Sequence, residues 1–155
     1  MDREFRIRRL DDFDSDFMSE LAANLRQQDI DEMNASDIKD YLTEINNTVK
    51  FSEDCYKVLA PNGAIIAGFG VINTTAGGQI WFLGTDLIKQ FRKSFVKISS
   101  EIIKKWLKEY GRLFNYVSAR NTESIKWLRF MGAKLEKKHI YKGHVFIMFE
   151  IERVN

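Results

Sequence analysis

The sequence has few residues that interrupt secondary structure, form disulfides or bind metal ions: it has one proline, one cysteine and two histidines among 155 residues. The single cysteine, Cys55, excludes an internal disulfide and a cysteine-rich zinc site, and it indicates a reducing compartment. His139 and His144 share no recognisable spacing with acidic or sulfur ligands, so we expect no metal site. The longest mostly apolar run, 64–72, is far shorter than the roughly 18 residues of a membrane span. We also expect no secretory signal, because the first residues lack an apolar stretch.

The composition is that of a soluble globular protein. Hydrophobic residues make up 45% of the chain and charged residues 30%, a balance that excludes disordered and fibrous classes. The length suits one compact domain with a sizeable core, so we expect a single domain over residues 1–155.

The net charge of +2 hides an uneven distribution along the chain. Residues 1–54 hold 7 basic and 15 acidic residues, whereas the remainder holds 17 basic and 7 acidic residues. Such a division is typical of two surfaces that face different partners, or each other. The alternative is two solvated faces without a partner, and the sequence leaves both open.

The acidic part of the chain predicts one strand and two helices. Alternating residues at 4–9 favour a strand with one buried face. Phe13, Phe17, Leu21 and Leu25 recur at intervals of four, as on an amphipathic helix. Ser36 is the expected N-cap of a second helix.

The middle of the chain predicts an antiparallel meander over 55–60, 64–75 and 79–85. Pro61-Asn62-Gly63 favours a tight turn between the first two strands, because Asn-Gly accepts positive φ. Gly84 falls inside the third strand pattern, where glycine often marks a bulge. A Gly68-Phe69-Gly70 sequence is no dinucleotide loop, since it lies within a strand.

The basic part predicts a long helix, a buried strand, a short helix and two strands. Apolar residues from Phe91 to Tyr110 follow a helical period, and Gly111 ends that helix. Its other faces carry five lysines, at 93, 97, 104, 105 and 108; these favour a solvated or protein-binding face over nucleic acid. A strand over 113–119, a helix capped by Asn121 or Thr122, and strands at 135–141 and 145–151 follow. The order β-α-α-β-β-β-α-β-α-β-β predicts a mixed sheet of the α/β or α+β class.

The segment 113–131, LFNYVSARNTESIKWLRFM followed by Gly-Ala, resembles the C-terminal half of the GNAT acetyltransferase fold. The element order is similar to that fold along nearly the whole chain. The resemblance implies a centrally splayed sheet flanked by helices, with acetyl-CoA between strands 79–85 and 113–119. If CoA binds, the resemblance implies contacts from Gly84, Arg92, Lys93, Asn121 and Ser124.

Two departures from the GNAT pattern argue against catalysis. The family's glycine-rich pyrophosphate loop is missing, because no glycine lies between Gly84 and Gly111. Leu128 stands where the family often has a proton-donating tyrosine, and leucine cannot donate a proton. The sequence therefore identifies no catalytic residue, and it leaves open whether the protein is an enzyme; an active form would be an acyl-CoA N-acetyltransferase.

A second resemblance covers about 55–151. IWFLGTD at 80–86, LFNYV at 113–117, Asn121-Thr-x-Ser-Ile and Met131-Gly-Ala are similar to the small internal virion protein family of short-tailed bacteriophages. That resemblance implies a GNAT-fold virion or assembly protein with a degenerate acetyl-CoA site, no cofactor, and phage structural proteins as partners. It implies location in the host cytoplasm during infection and then in the virion, and it is compatible with a homo-oligomer. The alternative is a working N-acetyltransferase that uses acetyl-CoA and acts on an amine of a protein or small molecule.

Overall fold

Seven strands form one mixed sheet in a computed structural model that describes residues 6–11 and 13–152. Their order across the sheet is β1-β2-β3-β4-β5-β7-β6. The strands are β1 (Arg6–Arg9), β2 (Asp54–Leu59), β3 (Ile65–Thr74), β4 (Gly77–Gly84), β5 (Arg112–Ser118), β6 (Lys134–Tyr141) and β7 (His144–Glu152). The helices are α1 (Ser15–Ala23), α2 (Gln27–Ala35), α3 (Tyr41–Phe51), α4 (Arg92–Tyr110) and α5 (Thr122–Phe130), with a 3₁₀ helix at Asp86–Gln90. Within the described residues, no helix is long and apolar enough to cross a membrane.

The sheet is splayed at its centre, as the sequence predicts. Strands β4 and β5 are parallel neighbours, but they pair only at Gly78 with Leu113 and at Gln79 with Phe114. Beyond this point β4 remains paired with β3, and β5 remains paired with β7. The Asn115 side chain spans the start of the opening, where its amide nitrogen donates to the Ile80 carbonyl at 2.7 Å. The predicted mixed sheet and its central splay are therefore confirmed.

Side chains alternate between two cores on opposite faces of the sheet. On β2, Cys55 packs with Leu21 and Ile45 beneath α1, α2 and α3. Its neighbour Tyr56 points to the other face, where its ring stacks on that of Trp106 from α4. Helices α4 and α5 share this second face, and Trp106 is fully buried there. The sheet therefore separates a layer of α1, α2 and α3 from a layer of α4 and α5.

The acidic segment forms three helices, so the prediction of two was wrong. Phe13 precedes α1 and is 93% exposed, although Phe17, one turn later, is buried. Ser36 is not an N-cap but follows the end of α2. The chain reverses at Asp37, whose φ of +66° breaks the helix, and Asp40 then caps α3 by accepting from the Thr43 amide at 3.0 Å.

Two further predictions near β4 and β1 need correction or fall outside the described residues. Gly84 lies opposite Ala67, and the β3–β4 register runs without a shift, so Gly84 marks no bulge in this ladder. The 3₁₀ helix that follows β4 was also not predicted. The first strand begins at Arg6 among the described residues, and the predicted residues 4 and 5 lie outside them.

Several predicted boundaries are confirmed by local geometry. Gly63 in the β2–β3 turn has a φ of +88°, and Gly111 after α4 has a φ of +75°. Both are conformations that glycine adopts without steric cost. Asn121 caps α5 by accepting from the Ser124 amide at 3.2 Å.

Two glycines on the same face of β3 predict opposite responses to alanine. A Cβ on Gly70 would lie 2.5 Å from the Cys55 Cβ and 2.8 Å from the Asp54 carbonyl oxygen. A Cβ on Gly68 would meet Leu21 at 3.5 Å, an ordinary contact. We expect Gly70→Ala to lower the free energy of unfolding by about 1–3 kcal/mol, because the backbone must shift. We expect Gly68→Ala to be neutral or to add up to about 1 kcal/mol, because it restricts the unfolded chain.

Urea unfolding of the two glycine variants and the parent protein measures this difference. Equal effects of the two substitutions would contradict the close packing at Gly70.

Candidate functional site

The opening between β4 and β5 leaves backbone groups that no neighbouring strand can satisfy. The Thr85 amide donates toward β3 at Ile66, so the preceding Gly84 amide points into the opening. Just after β5, the Ala119 amide donates to the Val145 carbonyl of β7, so the Ser118 amide points into the opening from the other side. Buried amides of this kind must find partners, because leaving them unbonded is costly.

Helix α2 supplies those partners from its carboxylates. The Gly84 amide donates to Asp29 Oδ2 at 2.8 Å, and the Ser118 amide donates to Glu32 Oε1 at 2.9 Å. The Arg26 backbone amide, just before α2, donates to the Gly84 carbonyl at 2.9 Å. The start of α2 thus takes the place that a continuing β5 would hold beside Gly84.

The Arg26 side chain crosses the opening from one helical layer to the other. Its Nε donates to Asp29 Oδ2 at 2.8 Å, and one terminal nitrogen donates to Asp29 Oδ1 at 3.1 Å. The same terminal nitrogen donates to the Ser124 hydroxyl of α5 at 3.1 Å. Its guanidinium carbon lies 5.0 Å from the centroid of the Phe82 ring, within cation–π range. Arg26 therefore connects α2, the end of β4 and α5.

The local sequence explains why these charges are brought inside. Arg26 is the N-cap of α2, and Asp29 and Glu32 follow at intervals of three residues, so the three side chains lie on one side of its N-terminal part. Asp29 lies in the first turn, where a negative charge interacts favourably with the helix dipole. Arg26 and Asp29 are only 6% and 2% exposed, and their two-point contact compensates part of the cost of burying both charges.

Glu32 and Asn121 extend the same network to the start of α5. The Asn121 side-chain amide donates to Glu32 Oε1 at 2.9 Å, while its carbonyl oxygen caps α5. Burial raises the pKa of Glu32, and its bonds with Asn121 and Ser118 oppose that rise. Burial likewise raises the pKa of Asp29, against the opposing effect of Arg26.

The residues predicted to contact CoA are only partly brought together. A cavity of about 850 Å³ lies along the opening, and Arg92, Asn121 and Ser124 line it. Gly84 and Lys93 are not among its lining residues. Arg92 forms an exposed ion pair with Glu123 at 3.2 Å.

These residues do not fit acetyl-CoA in this arrangement. Gly84 and Asn121 already bond to side chains of α2. The chain that would form the phosphate loop is a 3₁₀ helix, Asp86–Gln90, without a glycine. Leu128 is buried in the apolar core and offers no proton donor.

Sequence reasoning missed three charged residues: Arg26, the N-cap of α2, and Asp29 and Glu32 within that helix. A signal was available, because between residues 26 and 34 only Ile30 and Met33 are large apolar residues. A helix with so small an apolar face must bury something else against the sheet. Among the described residues, no group of three histidine, cysteine or acidic side chains is arranged to hold a metal ion.

Comparison with known protein families shows a match to a bacteriophage family. The family model described as "Bacteriophage T7, probable scaffold protein Gp13" matches residues 59–140, more than half of the chain. The protein belongs to this family. One relative, "Probable scaffold protein gp13" of Escherichia phage T7, is 30% identical over 86 residues. That match covers 53% of this chain and 62% of the length of the relative.

Solved structures of acetyltransferases share the fold along nearly the whole chain. A GNAT-family acetyltransferase from Bacillus anthracis has a TM-score of 0.67 at 14% identity, with 98% of this chain and 96% of that chain covered. The ribosomal-protein-S18-alanine N-acetyltransferase from Escherichia coli has a TM-score of 0.70 at 12% identity, with 96% and 94% covered. Spermidine N-acetyltransferase from Vibrio cholerae, solved with CoA and spermine, has a TM-score of 0.67 at 14% identity, with 96% and 95% covered. The fold is that of the GNAT proteins.

Removing the buried cation should destabilise this protein far more than removing an exposed one. Arg26→Ala leaves the Asp29 carboxylate buried without its partner, so we expect the free energy of unfolding to fall by about 3–5 kcal/mol. Arg92→Ala breaks an exposed ion pair and should cost less than about 1 kcal/mol. Urea unfolding at pH 7 measures both, and comparable losses would show that the Arg26–Asp29 pair does not stabilise the opening.

The raised pKa of Glu32 predicts a pH-dependent effect of Glu32→Gln. An acid whose pKa is higher in the folded state favours folding at low pH, and this contribution is lost as the pH rises from about 4.5 through the folded-state pKa. Glutamine removes that titration but keeps an oxygen that accepts from Ser118 and Asn121. We therefore expect the stability of Glu32→Gln, relative to the parent, to be greater at pH 8 than at pH 5. Urea unfolding at both values checks the sign, and a relative stability that falls with pH would contradict it.

Proposed function

We propose that this protein is an assembly or internal component of a bacteriophage particle, built on a GNAT fold whose acetyl-CoA cleft is closed by its own helix α2. The observation that carries this proposal is the pair of carboxylates in the cleft. Asp29 and Glu32 accept from the Gly84 and Ser118 amides, and Arg26 links Asp29 to Ser124 across the opening. Membership of the phage scaffold family supports the structural role.

A cleft closed by α2 is expected to bind acetyl-CoA poorly. A pantetheine arm entering between β4 and β5 would first have to displace a buried ion pair, together with the hydrogen bonds to both strands. Breaking such a pair by itself costs several kcal/mol, which is enough to lower affinity by a factor of several hundred. The remaining contribution is a rigid surface, and we propose phage structural proteins as its partners, in the host during infection and in the particle afterwards. One sheet carries all strands of the described residues, which supports a single-domain chain.

The alternative function is an N-acetyltransferase that uses acetyl-CoA. The cavity of about 850 Å³ favours it, because such a volume is large enough for a small ligand. In that case Arg92, Lys93, Asn121 and Ser124 would contact the coenzyme only after α2 moved away from Gly84.

Calorimetric titration with acetyl-CoA distinguishes the two functions. We expect no saturable binding up to about 1 mM, because α2 already occupies the groups on both strands. A dissociation constant in the micromolar range, with acetyl transfer to an amine such as spermine, would overturn the proposal and support the alternative. For the assembly role, the expected result is that the protein co-purifies with phage particles; its absence from particles while free in the lysate would contradict that role.

A further inference from the structure

The two helical layers of the protein carry opposite charge. The segment that holds α1, α2 and α3, residues 13–52, has nine acidic and three basic residues, whereas α4 has six basic and two acidic residues. These layers lie on opposite faces of the sheet, since α1–α3 pack on one core and α4 on the other. The uneven charge of the sequence is therefore a separation of charge across the thickness of the molecule.

Helix α4 presents four exposed lysines in one straight row, which we call the lysine row: Lys93, Lys97, Lys104 and Lys108. Steps of four, seven and four residues keep all four within about 60° of arc and spread them over about 22 Å. None of them forms an ion pair with another described residue. The fifth lysine considered from sequence, Lys105, points elsewhere, because its Nζ lies 3.6 Å from Asp54 Oδ2.

The opposite layer presents exposed carboxylates, which we call the acidic face: Asp16, Glu20 and Asp31. Asp16 and Glu20 are one turn apart on α1, and Asp31 lies on α2. These three side chains form no ion pair with another described residue. Two cations are exposed in the same layer, Lys39 and Lys50.

We propose that the protein associates head to tail with further copies of itself, with the lysine row of one copy against the acidic face of the next. A two-fold dimer through either layer would bring like charges together, which is unfavourable. Contact between the lysine row of one copy and the acidic face of the next brings opposite charges together. Because the two faces lie on opposite sides of the sheet, the assembly always keeps one free lysine row at one end and one free acidic face at the other. The expected product is an open stack rather than a closed dimer. This association follows from the charge layout alone and does not depend on whether the cleft binds CoA.

Sedimentation velocity of the full chain tests the association at 50 and 500 mM NaCl. At low salt we expect the average mass to rise with concentration past two copies, and at high salt we expect the 18.2 kDa monomer. A mass that stops at two copies, or a monomer under both conditions, would overturn the proposal.

Two neutralised variants test the head-to-tail geometry. Lys97→Gln/Lys104→Gln/Lys108→Gln removes most of the lysine row, and Asp16→Asn/Glu20→Gln/Asp31→Asn removes the acidic face. Each variant alone should need at least tenfold higher concentration to associate, while an equimolar mixture should form pairs and stop there, since each variant keeps one competent face. Failure of the mixture to pair would overturn the head-to-tail contact.

A control variant with the same change of net charge shows whether the position of the lysine row, rather than the total charge of the protein, determines the association. Lys134, Lys137 and Lys138 are exposed on β6, an edge strand of the sheet. Changing these three lysines to glutamine should leave the association unchanged; an equal loss would overturn the assignment to α4. Nucleic acid is the alternative ligand of the lysine row, and binding of a duplex DNA fragment tests it. If the parent binds DNA but does not self-associate, and only the lysine-row variant loses DNA binding, the row is a nucleic-acid site and the proposal is overturned.

Discussion

The contact between the Arg26–Asp29 ion pair and Gly84 is the constraint on which the centre of this structure depends. Strands β4 and β5 separate after a single stretch of parallel pairing, which leaves inward-facing amides at Gly84 and Ser118. Helix α2 satisfies them with carboxylates, and the charge of Asp29 is in turn matched by Arg26. Because Arg26 also reaches Ser124, one side chain joins elements from both layers.

This arrangement separates the architecture of the fold from its chemistry. The solved acetyltransferases share the architecture with TM-scores of up to 0.71 at 11–14% identity. In this protein the central opening is bridged by protein side chains, and Asn121 serves as the cap of α5 and as a donor to Glu32. The same opening that separates two strands can therefore be stabilised from within by a charged helix.

The sequence predicts the sheet well, since its signals are local. Apolar and aromatic runs bounded by turn residues indicate β2, β3 and β4, while Gly63 and Gly111 mark a turn and a helix end where positive φ is needed. The helix that was missed is α2, because between residues 26 and 34 only Ile30 and Met33 are large apolar residues, too few for a clear apolar stripe. Phe13 was wrongly included in α1 because its spacing fits the apolar stripe, although the chain has not yet become helical there.

The candidate site was less predictable because its contacts join distant parts of the chain. Arg26 and Ser124 are 98 residues apart, and Glu32 and Asn121 are 89 residues apart. The motif around Asn121 correctly indicates a helix cap, but the pattern alone does not tell whether that asparagine also bonds to a ligand or to protein. The charged side of α2 is visible in the sequence, but its role depends on the opening between β4 and β5, which leaves the Gly84 and Ser118 amides for its carboxylates to bind.

Amide hydrogen exchange at Gly84 and Ser118, followed residue by residue by NMR, tests the closed opening most directly. If α2 holds both strands, the two amides exchange slowly without any ligand, and acetyl-CoA does not change their rates. Fast exchange of both amides in the free protein, slowed when acetyl-CoA is added, would show an open cleft that the coenzyme fills.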